Sequence, residues 1–125
     1  MKVAEVMNKA FVIEDNINLK QASKIMSDKR IGSLIIMKGD EIAGIVTERD
    51  ILKNVSSLVE KVSKIMTKNV ITIDERESID DAALIMAKDK IKRLPVLKNG
   101  KLIGIITATD ILANSDSLNE EFLLE

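Results

Sequence analysis

Gly100-Lys101-Leu102-Ile103-Gly104-Ile105-Ile106-Thr107-Ala108-Thr109-Asp110-Ile111-Leu112 decides how this chain is read, because a version of it occurs earlier as Ile42-Ala43-Gly44-Ile45-Val46-Thr47-Glu48-Arg49-Asp50-Ile51-Leu52. Working outward, the agreement holds at one spacing. Between Leu19–Leu52 and Ile79–Leu112, 12 of 34 aligned pairs are identical at an offset of 60, including Ala22/Ala82, Met26/Met86, Gly44/Gly104, Thr47/Thr107 and Asp50/Asp110. Farther upstream, Lys2-Val3-Ala4-Glu5-Val6-Met7 answers Lys61-Val62-Ser63-Lys64-Ile65-Met66 at an offset of 59, so the second copy holds one extra residue near Ile73–Ile79. Self-similarity at a fixed period marks a repeated structural unit. The expected division is a first repeat over 1–54, a linker over 55–60, a second repeat over 61–114 and a tail over 115–125.

Each copy alternates strand and helix patterns. In the first, Phe11-Val12-Ile13 reads as a short strand, and Leu19, Ala22, Ile25 and Met26 follow at helical spacing with Asn16 or Asn18 as cap. Ser33–Met37 is a continuous apolar run suited to a strand buried on both faces. Lys38-Gly39-Asp40 then supplies a turn, Glu41–Val46 a partner strand, and Glu48–Lys53 a short helix. The second copy repeats the order as Val70–Ile73, Ile79–Lys88, Arg93–Leu97, the turn Asn99-Gly100, Lys101–Ile106 and Thr109–Ala113. Asn-Gly between two apolar runs is the strongest short hairpin signal. Each unit therefore reads β-α-β-β-α, an α/β (α+β) class. A unit this small cannot bury its sheet and helices alone, which predicts two copies packed sheet to sheet about a pseudo-twofold axis.

Composition removes whole classes of chemistry. The chain has 125 residues, 46% of them hydrophobic, enough for a sizeable core. It has no His and no Cys, hence no imidazole base, thiol nucleophile, thiolate zinc site or disulfide. An enzyme would need a carboxylate pair or a lysine, and no such grouping stands out, so an enzyme is not expected. Phe11 and Phe122 are the two aromatic residues, and the 19 basic and 20 acidic residues give a net charge of −1. Both facts argue against nucleic-acid binding. No apolar run spans a bilayer and no signal peptide is evident, so the expectation is a cytoplasmic protein without membrane contact.

The segments Gly44/Thr47/Asp50 and Gly104/Thr107/Asp110 admit two readings. Thr with an acidic residue three positions later is a capping box for the following helix. A carboxylate is equally an acceptor suited to two vicinal hydroxyls, and a helix start presents N–H groups to a phosphate. The two roles coexist if the aspartate keeps a spare oxygen. Arg49 opposes the macrodipole at its helix start, which leaves two readings of equal weight, a phosphate contact and a surface cation. Asp74, Glu75, Glu77, Asp80 and Asp81 form the densest acidic stretch. Its reading is favourable charge at a helix N-terminus, and no metal site is expected.

Over residues 2–114 the chain resembles a tandem pair of cystathionine β-synthase (CBS) domains, a Bateman module. The most specific segments are Arg93-Leu94-Pro95-Val96-Leu97, Gly100–Thr107 and Thr107–Leu112, with their first-copy answers. The resemblance implies a regulatory module binding AMP, ADP, ATP or S-adenosylmethionine in clefts between the repeats, pairing as a homodimer, and signalling to a separate, unidentified protein. It implies ribose contacts from Asp50 and Asp110, and phosphate contacts from Thr47, Arg49, Lys92, Arg93, Thr107 and Thr109. Adenine contacts fall to Val12, Ile13, Val70, Ile71, Thr72 and Pro95. The first copy departs from the pattern, with Gly32-Ser33 where the second has Lys92-Arg93, so the two sites are expected to be unequal. The alternative is a dimerisation or docking module without nucleotide, in which the Thr-x-x-Asp segments are only caps. In the tail, Leu118, Phe122 and Leu123 share one helical face, with Asp116 or Ser117 as cap.

Overall fold

The computed structural model describes residues 1–115, so the expected helical face in the tail lies outside the described residues. In chain order the elements are α1 (Val3–Val6), β1 (Val12–Ile13), α2 (Leu19–Lys29), β2 (Ser33–Lys38), β3 (Glu41–Thr47), α3 (Glu48–Lys53), a 3-10 turn (Val55–Ser57), α4 (Val62–Ile65), β4 (Ile73–Asp74), α5 (Ile79–Asp89), β5 (Arg93–Lys98), β6 (Lys101–Thr107) and α6 (Ala108–Ala113). The fold is mixed α/β with two three-stranded sheets, ordered β1-β2-β3 and β4-β5-β6. In each, the first pair is parallel and the second antiparallel. The β-α-β-β-α order read from the sequence holds in both copies.

The compact units do not coincide with the sequence repeats. One unit is residues 10–70; the other joins residues 1–9 to those from 71 onward. Each copy thus hands its leading segment to the other copy's body. In the unit of residues 10–70, Val62 is fully buried with Leu19, Ala22, Leu34, Ile36 and Val46, and its N–H donates to the Ile17 carbonyl at 2.9 Å. In the second unit Val3 takes the same place among Ile79, Ala82, Leu94, Val96 and Ile106, and its N–H donates to the Glu77 carbonyl at 2.8 Å. A short Val-containing helical turn, Val3–Val6 and Val62–Ile65, accounts for the matched segments at 2–7 and 61–66.

After that turn the chain runs along a sheet edge. Asn8 and Ile105 exchange N–H···O bonds of 2.8 and 2.9 Å, and Thr67 and Ile45 exchange bonds of 3.0 and 2.9 Å. Edge pairing at this spot requires glycine beside it. A Cβ on Gly104 would lie 2.8 Å from the Asn8 carbonyl oxygen, and one on Gly44 2.9 Å from that of Thr67. Next to each glycine a register shift leaves one strand residue, Ala43 or Ile103, unpaired, the signature of a bulge.

Strands β2 and β5 are central and buried on both faces, with Leu34, Ile35 and Ile36, and Leu94, Pro95 and Val96, inaccessible in succession. Asn18 caps α2, its side chain accepting the Gln21 N–H at 2.8 Å. Asn99 and Gly100 both take positive φ, 50° and 79°, as a two-residue type I′ hairpin demands. Strand β4 begins at Ile73 instead of spanning Val70–Ile73, one residue later than its counterpart β1, and Pro95 accounts for that one residue. In the first copy the Ile35 N–H donates to the Phe11 carbonyl at 3.0 Å. The corresponding residue, Pro95, has no N–H, so the Ile71 carbonyl loses that donor and the parallel pairing starts one residue later.

The loop into α5 is tied by an ion pair between Asp74 and Arg76 (2.9 Å). Hydrogen bonding from Arg76 lowers the Asp74 carboxyl, while a hydrogen bond with Asp81 and its negative charge raise that of Glu77. Among the described residues no three such groups converge on a position able to hold a metal ion.

Two predictions follow from packing and charge. Gly104→Ala and Gly44→Ala should each cost about 1–3 kcal/mol, a fall of roughly 5–15 °C in Tm by circular dichroism. Gly39→Ala, at φ 63° with open space around it, should cost only about 1 kcal/mol of backbone strain. Because the native state holds the Glu77 proton more tightly than the usual 4.5, its repulsion with Asp81 is absent at low pH and grows as pH rises. Glu77→Gln should therefore raise Tm slightly at about pH 7 and leave it unchanged below about pH 4.

Candidate functional site

The antiparallel pairing and the short terminal helices bring the sequence candidates to one end of each sheet. Arg93 lies opposite Thr107 across β5 and β6, and Ser33 opposite Thr47 across β2 and β3. Because β4 runs parallel to β5, its entry, Ile71 and Thr72, lies at the same end as Arg93 and the start of α6. The second unit thus collects Ile71, Thr72, Arg93, Thr107 and Asp110. The first collects Val12, Ile13, Thr47, Arg49 and Asp50. Val70 is the last residue of the first unit.

The Thr-x-x-Asp segments are complete capping boxes. The Thr107 N–H and hydroxyl both donate to Asp110 Oδ2 at 2.8 Å, and the Asp110 N–H donates to Thr107 Oγ1 at 3.2 Å. The first copy repeats this with bonds of 2.9, 3.2 and 3.4 Å between Thr47 and Asp50. The Asn114 and Asn54 amides donate to the main-chain carbonyls of Asp110 and Asp50, securing the other end of each helix. All bonds to the two carboxylates fall on Oδ2; among the described residues, Oδ1 of each aspartate accepts none. The condition for a double role, a spare oxygen on a half-buried and rigidly held aspartate, is met in both copies.

The other candidates sit around these boxes. Each threonine hydroxyl donates its one proton to the neighbouring aspartate. The helix starts are also largely engaged. The Ala108 N–H donates to the Lys92 carbonyl at 2.8 Å and the Glu48 N–H to that of Gly32 at 3.0 Å. With the capping bonds, three of the four N–H groups at each start are taken, which leaves little of a phosphate cradle. Arg49 and Thr109 are exposed on the first turn, Lys92 is exposed in the preceding loop, and Arg93 is half-buried as β5 begins. Pro95, the remaining adenine candidate, is fully buried in β5. Val12 and Ile71 are 51% and 39% exposed, unusual for aliphatic residues entering a sheet. Pro95 has no N–H to offer the Ile71 carbonyl, which leaves a main-chain acceptor at the entry of β4.

Among the described residues no helix is long and apolar enough to cross a membrane. Comparison with known proteins identifies the repeated unit. The chain is 35% identical over 114 residues to an uncharacterised protein of Methanocaldococcus jannaschii, covering 90% of this chain but only 38% of that one. It is 36% identical over 115 residues to an uncharacterised 17.7 kDa protein of Acidianus ambivalens, covering 88% of this chain and 70% of that one. Among solved structures, the CBS domain pair of protein MJ0100, in complex with 5′-methylthioadenosine and S-adenosyl-L-methionine, is 32% identical. It superposes with a TM-score of 0.83 over 89% of this chain and 92% of that one. The CBS-domain model matches residues 3–57 and again 62–116, and with both copies built alike the chain belongs to the CBS-domain family as a tandem pair.

Proposed function

We propose that the chain is a regulatory module that binds an adenosine-containing ligand and reports its presence to a separate protein, without catalysing a reaction of its own. The observation that carries this reading is the unused Oδ1 on Asp50 and Asp110. A carboxylate oxygen fixed by a cap on its neighbour is pre-organised to accept the paired hydroxyls of a ribose. At the entry of β4, Ile71 adds exposed aliphatic surface for a purine ring and a main-chain acceptor for an exocyclic amino group. The ligands of the MJ0100 pair, 5′-methylthioadenosine and S-adenosyl-L-methionine, share this adenosine core and support the class.

The two copies call for different ligands. Beside Thr107 the second copy places Lys92 and Arg93, and a guanidinium fork with an ammonium suits a phosphate. Beside Thr47 the first copy has Gly32 and Ser33, suited to an uncharged nucleoside end, with Arg49 the one basic candidate. AMP, ADP or ATP belongs to the second copy in this reading, and an uncharged nucleoside to the first. The module acts as a homodimer in the cytoplasm, and a ligand shifts its two-state balance only by its differential affinity for the two states. The capping boxes, being complete, also suit a docking module without nucleotide, and the test separates the two readings.

Thermal unfolding with AMP, ADP, ATP, S-adenosylmethionine and adenosine should show a rise with at least one. A ligand at about 100 times its Kd adds roughly 2.7 kcal/mol, on the order of 10 °C here. Asp110→Asn retains an oxygen for the Thr107 N–H but replaces Oδ1 with an amide. It should keep the ligand-free Tm within about 2 °C and lose most of the phosphate-bearing ligand's shift. Asp110→Ala should lower the ligand-free Tm as well, by about 1 kcal/mol of lost cap. No shift with any ligand, or an undiminished shift in Asp110→Asn, leaves the aspartates as caps alone.

A further inference from the structure

The densest run of positive charge in the chain is Lys88-Asp89-Lys90-Ile91-Lys92-Arg93, four cations in six residues where α5 ends and β5 begins. Lys88, Lys90 and Lys92 are exposed, and among the described residues none of the three makes an ion pair. Residues 116–125 are the opposite in charge: Asp116, Glu120, Glu121 and Glu125 are interleaved with Leu118, Phe122, Leu123 and Leu124. No cation follows Lys101, so these carboxylates have no neighbour in sequence to pair with.

The first copy is an internal control. Its matching loop, residues 28–33, sets two cations against Asp28, and one of them, Lys29, already lies over the Phe11 ring, 4.9 Å from its centroid. The segment after its last helix, residues 55–60, holds one charge, Glu60, which pairs with Lys64 at 3.3 Å. Excess positive charge in the loop and excess negative charge beyond the last helix therefore occur together, in the second copy.

We propose that the acidic segment 116–125 docks on the Lys88–Arg93 loop of its own chain, and that a phosphate-bearing ligand at Lys92 and Arg93 displaces it. The fold puts the two within reach. The first N–H of α6, on Ala108, donates to the Lys92 carbonyl at 2.8 Å, and six helical residues advance the chain by only about 9 Å. Glu120 lies seven residues beyond Ala113, a span of up to about 23 Å of extended chain. Exposed ion pairs are individually weak, so several hold the contact and a phosphate can compete with it. Carboxylate and phosphate are alternative partners for the same ammonium and guanidinium groups. Displacement presents an acidic segment studded with apolar residues to the separate protein, which makes ligand binding readable. That regulatory half rests on the phosphate reading of Lys92 and Arg93; the docking itself does not.

The absence of cysteine makes the test direct. Asp89→Cys with Asn119→Cys leaves every opposing charge in place. In dilute protein under mild oxidation it should form an intramolecular disulfide, read by intact mass and non-reducing electrophoresis. The control is Lys101→Cys with Asn119→Cys, because Lys98 and Lys101 pair at the far end of the ladder from Arg93 and Thr107, about 17 Å away. The first disulfide should form about tenfold faster or more, and the difference should largely vanish at 1 M salt, where screening acts beyond about 3 Å. Saturating AMP should slow it. By linkage, deleting 116–125 should tighten AMP binding about three- to tenfold in titration calorimetry, and Glu120→Gln with Glu121→Gln should give part of that gain. Circular dichroism checks that each variant is folded. A disulfide between two copies, one no faster than the control, or one as fast at 1 M salt overturns the docking. AMP bound as tightly with 116–125 as without it overturns the displacement. If neither chain binds AMP, the nucleotide reading fails and the displacement with it, while the disulfide rates still decide the docking.

Discussion

Two pairs of main-chain hydrogen bonds organise the rest of this molecule: Asn8 with Ile105, and Thr67 with Ile45. Each seats an exchanged leading segment on the open edge of a small sheet, and each is sterically permitted because Gly104 or Gly44 presents no Cβ to the approaching carbonyl. The consequences are larger than the bonds. Covering an edge removes a strand's unpaired N–H and C=O groups from solvent. The same segment delivers Val3 or Val62 to a core that a body of this size cannot complete alone. Neither copy is closed without the other's first residues, so the repeats form one folding problem and not two beads on a string.

Three residues beyond each glycine the chain turns from strand into helix, and the Thr-x-x-Asp box makes that turn rigid. The box accomplishes two things because a carboxylate has two oxygens. One oxygen carries the threonine N–H and hydroxyl, and among the described residues the other accepts no hydrogen bond. An acceptor held in this way would give up little conformational entropy if it bound a ligand. Within the CBS framework the copies then diverge by small changes at the adjoining strand entry: Lys92, Arg93 and Pro95 in one, Gly32, Ser33 and Ile35 in the other. Proline there does two things at once, filling the core and withdrawing an N–H from the Ile71 carbonyl.

Most of the architecture was readable in the sequence because it is written twice. The period located the elements, Asn-Gly marked the type I′ turn, and Asn18 marked a helix start. What was not legible has physical reasons. A four-residue helical turn such as Val3–Val6 gives too little periodicity to register, and a segment's destination in another copy leaves no local trace. Strand β4 starts late because a missing N–H in β5 acts from outside its own segment. Residue type marked Asp50 and Asp110 as candidates, but only bond geometry divides their oxygens and shows the protons of Thr47 and Thr107 donated within the caps.

If the open oxygens take a ribose, the vicinal hydroxyls must matter more than any other polar group of the sugar. Titration calorimetry with AMP and with its 2′,3′-dideoxy counterpart isolates that contribution without altering the protein. Loss of two hydrogen bonds to a charged acceptor corresponds to a drop in affinity of about a hundredfold or more, and that is the expected result. Equal affinity for the two nucleotides would contradict the role assigned to Asp110.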